Sequence, residues 1–384
     1  MTNAPSFFST GLKRAVGGAL RRSLTIILSI LAAVVVGSLI MVWYGMTQGT
    51  PINPFEVYWL LLRGAFLSNT GFFITIQRCT PLIFTAISSA LAFRTGVFNV
   101  GVEGQFFVGA ITATWVGYAI QLPTIIHLPL TLLAGFAGGA AWAYIPTLMR
   151  QKLGVSEIIT TIMTNYIATF LVSWLVNYPM RAVPTTAETP FVQDTAKLWQ
   201  FTELSGGTVG AGSQAHTGIF IALAVVLVMW LIFKYTKLGY EWRLVGLSSL
   251  FAEFGGVNLT RTFIGGMLVS GGIAGLGGAV EILGVWRKYK DLFAVGFGFR
   301  GNLAALLGGQ SIIGSAAAAI FYGGMESGAL DLSFTMGIPR QLIDIVVGLI
   351  IFFMAAEGIW DFVKKIKWVR STDQVRRTTE NLEV

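Results

Sequence analysis

The stretch AFRTGVFNVGVEGQ, residues Ala92 to Gln105, decides how this chain is organised. One apolar segment of membrane-spanning length ends at its left edge and another begins at its right. Between them lie four polar residues and three glycines: Arg94, Asn99, Glu103, Gln105, Gly96, Gly101 and Gly104. Lipid solvates neither such side chains nor a glycine-loosened backbone, so the stretch must face protein or water. It predicts a broken helix that lines a cavity, the first candidate for a functional site.

The composition of the chain is that of a membrane protein. Its 384 residues are 54% hydrophobic and 11% charged, whereas soluble domains carry about 25% charged residues. The 46 glycines fit the same class, because small residues let membrane helices approach closely. An ordinary soluble domain is therefore excluded, and an all-α polytopic membrane protein is predicted.

The net charge of +8 is concentrated at the two ends of the chain. Basic residues precede the first apolar run and follow the last: Lys13, Arg14, Arg21, Arg22, Lys364, Lys365, Lys367, Arg370, Arg376 and Arg377. This placement is typical of the positive-inside rule rather than of nucleic-acid binding, and it predicts cytoplasmic termini. The predicted organisation is a basic lead at 1–23, a transmembrane domain at 24–363 and a basic tail at 364–384.

Apolar runs predict about ten transmembrane helices. They lie at about 24–44, 71–93, 104–121, 128–149, 157–177, 217–233 and 262–283, twice within 293–330, and at 341–362. The 293–330 run is divided near 308–314, because two cytoplasmic termini require an even number of spans. The segment at about 178–216 then becomes an outer loop. The basic residues at 287–290 would also lie outside, against the positive-inside trend.

A repeated motif supports this count. Gly101-Val-Glu-Gly-Gln105 opens the third predicted span from the inside, and Gly298-Phe-Arg-Gly-Asn302 opens the eighth from the outside, 197 residues later. Both motifs follow the same pattern: a glycine, any residue, a charged residue, a second glycine and an amide residue. Motifs five spans apart with opposite entry predict a pseudo-symmetric inverted repeat.

The fifth predicted span carries a polar stripe. Glu157, Thr161, Thr164 and Asn165 share one helical face by their spacing of three and four residues. Two interpretations stay open at this stage: hydrogen bonding between helices, or lining of a translocation path.

A short amphipathic helix is predicted at about 246–256, after the sixth span. Leu247, Leu250, Phe251 and Phe254 follow the i, i+3, i+4, i+7 pattern, and a Gly-Gly pair ends the helix. Such a helix either lies on the membrane surface or docks into the groove of a partner protein.

Five stretches resemble, in order, the permease signature of ATP-binding-cassette (ABC) importers of the nucleoside and simple-sugar class. They are FRTGVFNVGVEGQFFVGA (93–110), GVSEIITTIMTNYIA (154–168), FAEFGGVNLTRTF (251–263), VSGGIAGLGGAVEILG (269–284) and GFRGNLAALLGG (298–309). The superfamily includes ribose and branched-chain amino acid permeases, and the resemblance covers roughly 70–360. The length and basic head look most like the larger of two unlike permeases in bacterial nucleoside importers.

The resemblance implies an assembly in the bacterial inner membrane, containing a second, unlike permease, ATP-binding subunits and a solute-binding protein. It assigns the coupling helix, which meets the ATP-binding subunit, to Leu247, Leu250, Phe251, Ala252, Glu253, Phe254 and Gly255. No G-x-x-x-x-G-K-[ST] motif occurs, so ATP is expected on the partner and no cofactor on this chain.

Seven residues are candidates for the substrate path: Asn99, Glu103, Gln105, Thr161, Asn165, Arg300 and Asn302. Amides and hydroxyls suit neutral polyols such as nucleosides and sugars. Arg300 and Asn302 depart from the family pattern, where a small or acidic residue and an isoleucine are common, which bears on the solute rather than on the fold.

Three alternatives remain. An ion-coupled secondary transporter would also have inverted repeats and broken helices but would not need the helix at 247–254. An ABC permease for branched-chain amino acids is a second alternative. A membrane enzyme would need a convergent acid-base or metal cluster, and a single Cys79 with two isolated histidines, His127 and His216, offers none. We therefore expect no catalytic residues and no metal.

Overall fold

The computed structural model describes residues 31–47, 49, 52–293, 295–337 and 339–355, so the predicted basic lead and tail lie outside the described residues. Within these ranges the chain is helical, without strands. The helices are α1 (Leu31–Thr47), α2 (Pro54–Leu62), α3 (Asn69–Arg94), α4 (Val102–Ala119), α5 (Thr124–Leu153), α6 (Glu157–Asn177), α7 (Phe201–Leu204), α8 (Gly218–Tyr235), α9 (Lys237–Leu247), α10 (Ser249–Phe254), α11 (Leu259–Glu281), α12 (Phe297–Leu307), α13 (Ile312–Met336) and α14 (Arg340–Ala355). A π-helical turn, Ile282–Trp286, extends α11.

The chain forms two units. Of the described residues, those from 31 to 58 and from 336 to 355 form one unit, and those from 59 to 335 form the other. In the described part of the first unit, the hydroxyl of Tyr58 donates to the carbonyl of Val34 at 3.0 Å. The second unit contains α3 to α12 and most of α13, and all the sites described below lie within it.

Five of the described helices are long and apolar enough to cross a membrane: α3, α5, α6, α8, and α11 with its π-helical turn. They coincide with five of the predicted spans, which supports an all-α, multi-pass membrane protein. The predicted division of 293–330 is also found, since α12 ends at Leu307 and α13 begins at Ile312. However, the 11 residues of α12 extend only about 16 Å, half of a bilayer core of about 30 Å.

Glycines bring α4, α5 and α11 into backbone contact. A Cβ atom on Gly109 would lie 2.1 Å from the Cα of Gly275, and one on Gly275 would lie 2.3 Å from the carbonyl oxygen of Gly135. A Cβ on Gly139 would meet the carbonyl oxygen of Gly271 at 2.2 Å. Only glycine fits at such distances, so the glycine-rich sequence of α11 is explained by helix packing.

The chain turns back into the bundle after α3. Asn99 Nδ2 donates to Ser270 Oγ at 3.1 Å, and Ser270 Oγ lies 3.0 Å from Ser88 Oγ. Ser88 precedes Arg94, the last residue of α3, by six residues, or about 9 Å of helix. Gly96, with φ of +77°, makes the reversal. Helix α4 therefore begins inside the bundle.

Helix α12 begins at the same depth. The backbone N–H of Gly296 donates to Glu103 Oε1, near the start of α4, at 2.6 Å. Beyond its C-terminus, the carbonyl of Gln310 accepts from Arg94 Nε at 2.7 Å. Helix α4 ends at the opposite side of the bundle, where its Gly117 carbonyl accepts from Gln193 N at 2.8 Å. The two helices start together and run in opposite directions.

The predicted outer loop and the basic turn after α11 form one structure, the loop cap, made of residues 178–217 and 283–291. Their backbones are hydrogen-bonded at four points: Leu198 N to Leu283 O, Val192 N to Arg287 O, Thr189 N to Tyr289 O, and Asp291 N to Ala187 O. Lys288 pairs with Glu188 at 2.6 Å, and Arg287 pairs with Glu203. The Lys288 ammonium holds the pKa of Glu188 below its usual range. Glu188 and Glu203 thus neutralise basic residues of the turn at 287–290, whose charge by itself runs against the positive-inside trend.

His216 makes the loop cap sensitive to acid. Burial, with a smaller contribution from the charge of Arg287, lowers its pKa to about 4, against 6.5 for an ordinary histidine. Its Nδ1 accepts the N–H of Gly218 at 3.1 Å. The unfolded chain binds a proton near pH 6.5, whereas the folded chain does not until about pH 4. Stability that is fully present above pH 6.5 is therefore lost as the pH falls towards 4, by about 3 kcal/mol.

We expect thermal midpoints of the protein in detergent to fall between pH 7.5 and 4.5. A His216→Asn variant, whose Oδ1 can accept the same N–H, should show a shallower fall. Equal slopes in the two proteins would contradict this assignment.

Candidate functional site

The site is centred on Glu103, where α4 and α12 begin. Helix N-termini carry partial positive charge, and this carboxylate lies at two of them. The approach is close: a Cβ on Gly298 would lie 2.4 Å from the backbone nitrogen of Glu103. Gly298 of the second repeated motif is thus needed where the two helix starts meet.

Asn165 of α6 bonds to the backbone on both sides of the start of α4. Its Nδ2 donates to the carbonyl of Val100 at 2.7 Å, and its Oδ1 accepts the N–H of Gly104 at 2.8 Å. These are backbone groups that a continuous helix would have paired internally. In a continuous helix these two groups would bond to each other, so one amide side chain from a neighbouring helix takes the place of a single helical hydrogen bond.

Asn99 and Gln105 bond chiefly to each other. Asn99 Nδ2 donates to Gln105 Oε1 at 3.0 Å, and Gln105 Nε2 donates back at 3.2 Å. Asn99 Oδ1 also accepts the N–H of Gly101 at 2.9 Å. Both side chains are fully buried. This pair fixes the turn before α4 and lines neither of the cavities described below.

The threonines of the α6 stripe are buried and satisfied by their own helix. Thr161 Oγ1 donates to the carbonyl of Glu157 at 2.6 Å, and Thr160 and Thr164 bond their own helix in the same way. Such internal bonds leave little capacity for a ligand. Of the stripe, only Asn165 reaches both the broken helix and a cavity.

Arg300 and Asn302 lie on α12 in different environments. Arg300 pairs with Glu326 of α13, its Nη1 lying 2.7 Å from Oε1. This partner was not predicted, because 26 residues and a helix break separate Arg300 from Glu326. Asn302 is buried, and its Oδ1 has no hydrogen-bond partner among the described residues.

Two cavities lie along α6. The central cavity, of about 320 Å³, is lined by Glu103, Phe107, Ile162, Asn165, Tyr166, Thr169, Leu292, Val295 and Phe299. The end cavity, of about 370 Å³, is lined by Phe170, Ser173, Trp174, Asn177, Tyr178 and Arg181. Of the seven predicted path residues, Glu103 and Asn165 line the central cavity.

One face of α6 connects the two cavities. Ile162, Tyr166, Thr169, Ser173 and Asn177 are spaced by three or four residues, so they form a continuous row along the helix. The row is aromatic, hydroxyl and amide in character. Tyr166 and Thr169 were not among the predicted path residues, which lay on the neighbouring threonine stripe, although their helical spacing was a usable signal.

A second candidate surface lies at the end of the bundle where α3 and α8 terminate. Leu247, the last residue of α9, and Leu250, Phe251 and Phe254 of α10 are 79%, 67%, 66% and 85% exposed. The predicted amphipathic helix is thus divided: Ser248 caps α10, its Oγ accepting the N–H of Phe251 at 3.3 Å. The apolar row points away from the chain, while Ala252 is fully buried and anchors α10.

Residues 71–355 match the family described as branched-chain amino acid transport system / permease component. The chain belongs to this family. The permease is 37% identical to the guanosine ABC transporter permease protein NupP of Bacillus subtilis (strain 168), over 75% of this chain and 82% of that protein. It is 32% identical to the nucleoside ABC transporter permease protein NupB of Lactococcus lactis, over 94% and 98%. A glucose ABC transporter permease protein of Haloferax volcanii, TsgB13, is 31% identical over 86% of each chain.

The family match contains every feature of the site. Residues 71–355 include the broken helix at α4, both cavities, α10 and α12, and leave out α1 and α2. Together with the five spanning helices, this makes the permease a multi-pass membrane protein.

Proposed function

We propose that this permease is the membrane subunit of an ABC importer that carries a nucleoside or a simple sugar. The observation that supports this proposal best is the row of aromatic, hydroxyl and amide side chains on α6, which joins the two cavities. A path for a neutral, hydroxyl-rich solute needs such groups. The central cavity also lies within the usual range for small-molecule sites, about 300–1,000 Å³.

The chemistry of the two cavities suits a nucleoside well. Tyr166, Phe107 and Phe299 offer ring faces for a base, and Asn165, whose amide keeps a second N–H, offers a polar group for a sugar. Among the described residues that line the central cavity, Glu103 is the only charged one, and Arg181 lines the end cavity. A branched-chain amino acid, which is zwitterionic, would need both charges in one place. The relatives named for guanosine, nucleosides and glucose agree with the polyol assignment.

The proposed architecture has about ten spans, cytoplasmic termini and a pseudo-symmetric inverted repeat in a bacterial inner membrane. Its support is the pair of broken helices, α4 and α12, which begin together at Glu103 and run in opposite directions. In such repeats the half-helix starts meet at the substrate site. A rocking movement of the two halves would open the path to each side in turn.

The proposed partners follow from the surfaces. An ATP-binding subunit binds and hydrolyses ATP and receives the apolar row of α10, as a helix in a groove. A second, unlike permease faces α6, where the exposed Ile159, Met163 and Ile167 form an apolar face beside the cavities. A solute-binding protein docks on the loop cap, which contacts the end cavity through Asp291, the acceptor of Ser173 Oγ at 2.8 Å.

The path is tested by truncating Tyr166, whose side chain lines the central cavity. In cells that lack other nucleoside uptake, Tyr166→Ala should reduce uptake of labelled guanosine or glucose at least about tenfold, because a ring face and its contact area are lost. Tyr144→Ala is the matched control, since Tyr144 is also an exposed tyrosine, lies on α5, and lines neither cavity.

Uptake is assayed with guanosine, glucose and leucine, with and without an ion gradient. Unchanged transport of the preferred solute by Tyr166→Ala would remove the α6 path. Transport of leucine alone, or transport driven by the gradient and indifferent to ATP, would favour the amino acid or ion-coupled alternatives.

A further inference from the structure

A third cavity, of about 280 Å³, lies apart from the proposed path, at the end of the bundle where α3 and α8 terminate. It is lined by Arg94, Trp230, Phe233, Lys234, Arg243, Ser311, Ile312 and Ile313. Three of these side chains are cationic and none is anionic. None of the three cations forms an ion pair within the described part of the chain. Like charges held around one space repel each other, so the site is completed by an anion.

The two arginines are fixed in place with donors to spare. Arg94 uses Nε to donate to the carbonyl of Gln310 at 2.7 Å, and Arg243 uses one terminal nitrogen to donate to the carbonyl of Phe233. A guanidinium has five N–H donors, so each arginine keeps others for a ligand. Several convergent guanidinium donors match the oxygens of a phosphate group better than a single carboxylate.

Aromatic side chains position the third cation. The Nζ of Lys234 lies 4.5 Å from the ring centroid of Trp230, and the guanidinium carbon of Arg94 lies 5.2 Å from that of Phe233. Tryptophan and basic residues at helix ends are typical of the headgroup level of a bilayer. The phosphate group would therefore belong to a molecule at the membrane interface.

Two apolar faces lead from the cavity towards the middle of the bundle. On α8, exposed Leu231 and Leu227 lie three and seven residues before Lys234, on the same face. On α13, exposed Ile313 and Ile320 also lie seven residues apart. A basic pocket that continues into apolar helix faces fits an amphipathic ligand, whose acyl chains would lie along those faces.

We propose that this cavity binds the phosphate headgroup of an anionic phospholipid, such as phosphatidylglycerol, between α3, α8, α9 and the start of α13. The site does not depend on which solute the permease carries. Basic pockets between membrane helices are a known way of holding anionic lipids.

The test is native mass spectrometry of the full-length permease in detergent, titrated with phosphatidylglycerol or with phosphatidylcholine. Phosphatidylglycerol should bind more tightly to the unmodified protein. Arg94→Gln combined with Arg243→Gln should weaken that binding more than tenfold, at about fivefold for each charge removed. Lys237→Gln is the matched control, because Lys237 lies on the same helix as Arg243, is 89% exposed and pairs with Glu241. It should bind as the unmodified protein does.

Three outcomes would overturn the proposal. They are equal binding of the two lipids, undiminished binding by the double variant, and displacement of phosphatidylglycerol by inorganic phosphate, which would assign the site to a free anion. If the double variant does not fold, Lys234→Gln replaces it, because that ammonium lies only over aromatic rings. Its expected loss is about fivefold.

Discussion

A Phe251→Asp permease is expected to reach the membrane, fold and yet lose uptake and its ATP-binding subunit. Phe251 is two-thirds exposed, so no core contact of the chain itself is removed. Its ring belongs to the apolar row formed with Leu247, Leu250 and Phe254. Placing a carboxylate in the centre of an apolar interface costs several kcal/mol, enough for a hundredfold loss of binding or more.

The measurement is affinity purification of the tagged permease, with quantification of the proposed ATP-binding subunit and of solute uptake in the same cells. Phe251→Leu serves as the control, because it keeps an apolar side chain in the row and should retain both activities. A thermal midpoint unchanged from the unmodified protein would show that Phe251→Asp is folded. Normal uptake by that variant would remove the coupling role of α10.

The second large effect is expected at Gly275 in α11. Its alanine variant places a Cβ 2.3 Å from the carbonyl oxygen of Gly135 and 2.8 Å from the Cα of Gly139. Both obstacles are backbone atoms of α5, so no side-chain rotation relieves the overlap. Overpacking of this kind typically costs about 1–3 kcal/mol, and the cost here should lie at the upper end because two helices must separate.

Gly265→Ala provides a matched control on the same helix. A Cβ at Gly265 meets no atom within 4 Å, so the same chemical change is made without the overlap. We expect the Gly275 variant to show a lower thermal midpoint in detergent and reduced yield of folded protein, while the Gly265 variant matches the unmodified protein. Equal midpoints for the two variants would mean that α5 and α11 are not in backbone contact.

The sequence by itself determined where five of the predicted membrane segments lie. An apolar run must be about 20 residues long to cross a bilayer, and this constraint is local, so α3, α5, α6, α8 and α11 were predicted nearly to their ends. The glycine turn after Arg94 and the division before Ile312 were also predicted from local sequence. An exposed amphipathic segment near residue 250 followed from periodicity, although its division at Ser248 did not.

Only the tertiary structure decided what the polar residues do. Asn99, Gln105 and Thr161 were grouped with Glu103 and Asn165 by residue type. All five form hydrogen bonds inside the protein, but only Glu103 and Asn165 also line a cavity. Hydrogen-bond capacity is the same for a structural amide and a solute-binding amide. Whether an amide has a structural or a solute-binding role depends on the groups that surround it, and many of these lie on other helices.

The same holds for charge. Arg300 forms an ion pair with Glu326, and the basic turn after α11 forms ion pairs with Glu188 and Glu203. These partners are too far apart in sequence to be predicted from helical periodicity. Charges in or near a membrane must be paired, hydrated or placed at the interface. The sequence therefore predicts that these charges must be accommodated. Which residue pairs with each charge depends on the packing of α12 on α13 and of one loop on another.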